Sequence, residues 1–176
     1  MFTASCTGLT GLRSAPEQRF KRDVFTIVPN AATPTQRPRL IVTADDFGLH
    51  QAVNEAVERG FRDGVLRAAS LMVAAPAVAD AVARAKQNPG LAVGLHLVLA
   101  DGRATLPPQR IPDLVDAQGI FNSDMVRNGV RFFFLPHVRR QLADEIRAQF
   151  DAFAATGLPL DHVNAHKHFH LHPTIL

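Results

Sequence analysis

From Arg39 onward the apolar positions switch between two periods. Leu40-Ile41-Val42 opens a run, RLIVTA (39–44), that predicts a short buried strand. AASLMVAA (68–75), LAVGLHLVL (91–99) and PLDHVNAH (159–166) predict three more. Between the strands, apolar residues recur at helical spacing. Ala52, Val53, Ala56, Val57 and Gly60 mark one helix within QAVNEAVERGF. Val78, Ala81, Val82 and Ala85 mark a second within PAVADAVARAK, and Val138, Leu142, Ile146, Gln149 or Phe150, and Phe153 mark a longer one from Pro136. Gly64, Asn88-Pro89-Gly90 and Thr156-Gly157 supply the stops. Residues 100–135 are rich in turn formers and show no sustained period.

This alternation predicts an α/β fold with a parallel sheet and right-handed crossovers, so that every strand ends at the same side and chemistry gathers there. A chain of 176 residues with 47% hydrophobic side chains is enough for one cored domain. The net charge is only +3, and its arginines are scattered rather than clustered, which argues against a nucleic-acid partner. Cys6 stands alone and cannot close an internal disulfide. No run approaches the ~18 apolar residues of a transmembrane segment. Residues 1–38 lack an apolar period and read as a poorly ordered leader, leaving 39–176 as the folded domain.

Against that frame of strands, the charged and imidazole-bearing residues fall together. Asp45 and Asp46 follow the first strand, His96 lies late in the third, and His162, His166, His168, His170 and His172 lie at or beyond the end of the fourth. Period two puts His96 on the face of Ala92 and Gly94, which leave open space beside the ring, and puts His162, Asn164 and His166 on one face of the fourth strand. One Asp with two His supplies a hard oxygen and two imidazoles and leaves positions open on Zn²⁺, Co²⁺, Mn²⁺ or Mg²⁺, as metal-assisted hydrolysis requires. The second acid is then free to take a proton from the attacking water. Each element also has a plainer reading: an Asp pair can cap the first helix, His96 can be a core histidine, and HVNAHKHFHLH can be an unspecific surface tract.

IVTADDFGLH, LAVGLHLVL and LDHVNAHKHFHLHP, in this order and at these separations, resemble the YdjC-type carbohydrate deacetylases from about Arg39 to Leu176. The stretch from GRATLPPQR to AQFDAF is most similar to the hopanoid-biosynthesis-associated branch. The resemblance implies a (β/α) barrel of the polysaccharide-deacetylase-like type. It implies a divalent cation, Mg²⁺ or Zn²⁺, held by Asp46, His96 and His166, with Asp45 as general base. Asn164, His168 and His170 fall where outer-shell or substrate contacts would lie. The implied reaction removes the N-acetyl group of an amino sugar, and in the hopanoid branch that of an N-acetylglucosaminyl hopanoid.

Two features depart from the family pattern. Many relatives carry an acid where this chain has Asn164. A whole barrel of ~250 residues also extends well beyond Leu176, so only the N-terminal half to two-thirds of it is expected, with the general acid for the leaving amine beyond Leu176. An uncovered sheet edge then predicts poor stability or self-association, a homodimer included. Rival readings are a truncated, catalytically weak metal-binding scaffold and a metal-dependent phosphoesterase. The expected location is cytoplasmic, and a lipid-linked substrate would allow contact with a membrane surface. Three consecutive aromatics, Phe132-Phe133-Phe134, cannot all face one core, so at least one ring is expected at the surface.

Overall fold

The computed structural model describes residues 40–175, and the 1–38 leader with Cys6 lies outside them. Four strands form one sheet: β1 (Thr43–Phe47), β2 (Ala68–Leu71), β3 (Ala92–Leu97) and β4 (Val163–Ala165). Each lies parallel to the next in the order β1-β2-β3-β4. Helices α1 (Gln51–Arg62), α2 (Val78–Gln87), α3 (Met125–Phe134) and α4 (Pro136–Ala155) occupy the connections, and a short 3₁₀ segment, His166–Leu171, follows β4. Parallel neighbours in sequential order wind as the wall of a (β/α) barrel does. Adjacent strands are spaced 4.7–4.9 Å, so β1 and β4 would be about 14 Å apart in a flat sheet. An Asn164–Asp45 side-chain hydrogen bond of 2.7 Å joins them, so the sheet is curled.

The core is made by Phe47, Leu71, Leu95, Leu99, Ile111 and Leu142, all at most 2% exposed. The strands are shorter than the apolar runs, because pairing stops where neighbouring strands no longer run alongside. β1 is displaced instead: it begins at Thr43 and includes the acid pair, which the sequence reading placed after it. α1 buries Asn54 with Val57 rather than Ala52 and Ala56, which face solvent. Asn54 accepts from Gly48 N–H at 2.8 Å and donates to Ala77 O and Asp80, stitching the β1–α1 turn to the start of α2. On α4 the inward position is Gln149, and Phe150 is outward.

Helix α3 lies inside the region without an apparent period. Its buried face is Asn128, Gly129 and Phe132, while Val126, Val130, Phe133 and Phe134 are exposed, so the apolar pattern is inverted relative to the core. Asp124 caps it by accepting from Arg127 N–H at 2.9 Å, the one local signal of its start. Of the three aromatics, Phe132 is buried beside Phe169, and Phe133 and Phe134 are at the surface, as expected.

Candidate metal centre

Two consecutive residues of a regular strand point to opposite faces, yet Asp45 and Asp46 serve the same side. A bulge makes this possible. Ala44 pairs with Ala69 and Phe47 with Leu71, so β1 holds one residue more than β2 over the same span. Asp46 takes up the extra length in the left-handed region at φ 59°, a conformation that Asp tolerates better than most side chains. Gly48 completes the turn at φ 98°, where a Cβ would press on Met72 O at 3.2 Å. Neither acid caps α1, because that position belongs to His50, whose ring accepts from Ala52 N–H at 3.1 Å.

Asp46 Oδ1, His96 Nε2 and His166 Nδ1 form a nearly equilateral triangle. The acid oxygen lies 3.3 Å from His96 and 3.2 Å from His166, and the ring nitrogens are 3.3 Å apart. Donors at 2.0–2.2 Å from one ion and subtending tetrahedral or octahedral angles are separated by about 2.8–3.6 Å, so the triangle matches three ligands on one face of a cation. Among the described residues these are the only three acid, imidazole or thiol donors so grouped.

Proton accounting agrees. His96 Nδ1–H donates to Asn164 Oδ1 at 2.7 Å, which leaves a lone pair on Nε2 aimed into the triangle. His166 can bring one proton to the three convergent atoms, and its bond to His96 leaves Asp46 Oδ1 buried without a partner. A cation would satisfy all three atoms, so the residues present fit the divalent ion that the donor set implies. His96 is nearly buried while the Asp46 and His166 side chains are partly open, so the triangle is reachable from one side.

Asp45 stands beside the triangle rather than in it. Its Oδ1 accepts from Asn164 Nδ2–H at 2.7 Å and is 3.9 Å from His96 Nδ1. His162 is on the face expected for it, but it fills the space that Gly94 leaves, where a Cβ would come within 2.6 Å of its ring. It bonds Ser70 and Asp161, each at 2.9 Å, and stays out of the cluster. His168 and His170 stack edge-on with centroids 6.1 Å apart and touch none of the three donors. His172 packs against Phe132 and Phe169.

Two buried polar residues of α4 shape the surroundings: Gln149, one of two inward candidates in the apolar stripe, and Glu145, which that stripe missed. Gln149 clamps both backbone groups of Val98, and the buried Glu145 accepts from Thr105 and Leu106 N–H at 2.8 and 2.9 Å. These bonds pin the loop after β3. A cavity of about 260 Å³ lies between that loop and the turn after β2, lined by Met72, Pro76, Val98, Asp101, Gln149 and His166. Lys167, left-handed at φ 54°, reaches back to Asp101 at 2.5 Å, and this bond holds the Asp101 carboxyl below its ordinary pKa.

A family model described as YdjC-like protein matches residues 39–176. A carbohydrate deacetylase of Brevibacillus brevis is 41% identical over 138 residues, which are 78% of this chain and 52% of the relative. A carbohydrate deacetylase of Vibrio parahaemolyticus is 35% identical over 138 residues, again 78% of this chain and 52% of the relative. The chain spans about half the length of these curated relatives. A solved structure from Enterococcus faecalis V583, a "putative cellobiose-phosphate cleavage protein", superposes with a TM-score of 0.63 at 29% identity, over 74% of this chain and 49% of that one.

Proposed function

Because the chain belongs to the YdjC-like protein family, we propose that it carries the metal-binding and general-base residues of a carbohydrate N-deacetylase. The observation that bears most weight is the orphaned, buried Asp46 Oδ1 at the apex of two convergent ring nitrogens, with an unligated carboxylate beside it. Asp46, His96 and His166 would hold the cation, and two imidazoles with one carboxylate favour Zn²⁺ over Mg²⁺. When bound, such an ion polarises a carbonyl and makes water more acidic.

The chain's own groups supply the base. Asp45 engages Asn164 through Oδ1, which leaves Oδ2 to take the proton of a water attacking the acetyl carbonyl carbon. The C–N bond breaks, acetate forms, and the proton held at Asp45 balances the departing amine. We assign the sugar to the cavity of about 260 Å³ beside His166. His168 and His170, farther out, are assigned to substrate hydroxyls. The substrate class is an N-acetylated amino sugar, with a hopanoid-linked N-acetylglucosamine as its finer form. Among the described residues no helix is long and apolar enough to cross a membrane.

The test is acetate release from N-acetylglucosaminyl substrates at matched Zn²⁺ content, by this chain and by this chain completed with the second half of a relative. Release by either that is lost on Asp45→Asn supports the reading. Stoichiometric metal without acetate from both would favour the metal-binding scaffold.

A further inference from the structure

His96 and Asn164 are register partners in the parallel β3–β4 pair, so the backbone itself sets their side chains against one another. Asn164 reaches on to Asp45, a residue of β1, so one amide touches an inner ligand and the acid assigned as base. An amide has two unlike ends. The carboxylate of Asp45 accepts and does not donate, so it selects the NH₂ end. The carbonyl end must then face His96, where it demands a proton on Nδ1 and leaves Nε2 bare toward Asp46 and His166. Turned the other way, the amide would set its oxygen against the Asp45 carboxylate and its NH₂ against Nδ1. The proton would then move to Nε2, pointing into the triangle.

We infer that Asn164 is a positioning residue through which Asp45 dictates the tautomer of His96, so that the base and the metal ligand are set by one hydrogen-bonded unit. The inference rests on the proposed function for the roles given to Asp45 as base and to His96 as ligand. The bridge itself can be read without turnover. An acid at position 164 makes half of the bridge: it accepts from His96 Nδ1–H but cannot donate to Asp45, which it also repels. An apolar side chain makes neither half.

Three measurements on the full chain test this. Nitrogen-15 NMR of the metal-free protein should show His96 protonated at Nδ1, and the Nε2–H form in the wild type would overturn the inference whatever the variants do. Zn²⁺ titration calorimetry should show affinity lowered ~10–100-fold in Asn164→Leu, the range for loss of a group that orients a ligand, and within a few-fold of wild type in Asn164→Asp. Acetate release at saturating Zn²⁺, wherever the wild type or its completed form has it, should fall in Asn164→Asp despite retained metal. Should Asn164→Leu fail to fold, Asn164→Ala takes its place, with thermal melting as the check. Wild-type Zn²⁺ affinity and an unchanged His96 tautomer in the folded apolar variant would show that the amide is a bystander.

Discussion

Two clusters of carboxylates lie in this small domain, and they differ in what completes them. Between α1 and α2, Arg84 bonds Asp80 at 2.9 Å and also reaches Glu58, while Asn88 and Asn54 donate to the same two acids. Asn88 and Arg84 hold Glu58 below its ordinary pKa, and Arg84 and Asn54 do the same for Asp80. Every acid there has donors from the chain. At the ends of β1, β3 and β4 the opposite holds: an oxygen and two ring nitrogens converge with one proton among them. A polar cluster saturated by its own chain is a fastening, and one that lacks donors is built for something outside the chain.

The largest expected effect comes from removing the apex of the open cluster. Asp46→Asn tolerates the left-handed backbone but brings no charge. It should lower Zn²⁺ affinity by more than the ~10–100-fold typical of an outer partner, with little change in metal-free melting temperature. Calorimetry and a thermal melt check both, and a large stability loss would mean that the cluster is structural after all. Next, Asp45→Asn should reduce acetate release by ~10²–10⁴-fold while one Zn²⁺ per chain is retained at saturation, measured by metal analysis beside the deacetylation assay.

Glu145 sharpens the contrast, because it is fully buried yet saturated by two backbone donors and Gln149. Glu145→Ala strands those donors and leaves a hole, at a cost of about 2–4 kcal/mol in urea unfolding. The smallest effect belongs to the closed cluster at the surface. Arg84→Met should lower the melting temperature by a few degrees at neutral pH without altering Zn²⁺ affinity. Acids whose folded pKa is depressed contribute stability above the ordinary carboxylate range near pH 4 and lose it as the pH falls below. The gap between variant and wild type should therefore narrow as the pH falls below about 4, and a constant gap would place the loss in packing instead.

Much of this organisation is legible in the order of residues. Period two in LAVGLH assigns His96 to the side of Gly94, and in HVNAH it assigns Asn164 and His166 to one face, because strand alternation is local geometry. The three motifs fall at one end of the sheet because strand–helix alternation makes neighbouring strands parallel, so all of them end at the same side. Helix α3 was hidden because its inward face is Asn128 and Gly129 beside Phe132, while its other apolar residues point out. Asn54 and Glu145 were hidden because a buried polar residue looks like a surface one until its partners are seen, and Gln149 stood only as one of two candidates with Phe150.

The sequence by itself therefore determined the α/β class, the chemistry of the donors and the sheet end at which they collect, all of which depend on spacing of a few residues. Only the tertiary structure decided how they meet. The bulge that turns Asp45 and Asp46 to one side exists because β2 pairs one residue short of β1. The 2.7 Å bond between β1 and β4 exists because four strands curl. Both facts belong to pairings between segments far apart in the chain, and no local pattern of apolar and polar residues encodes a distance.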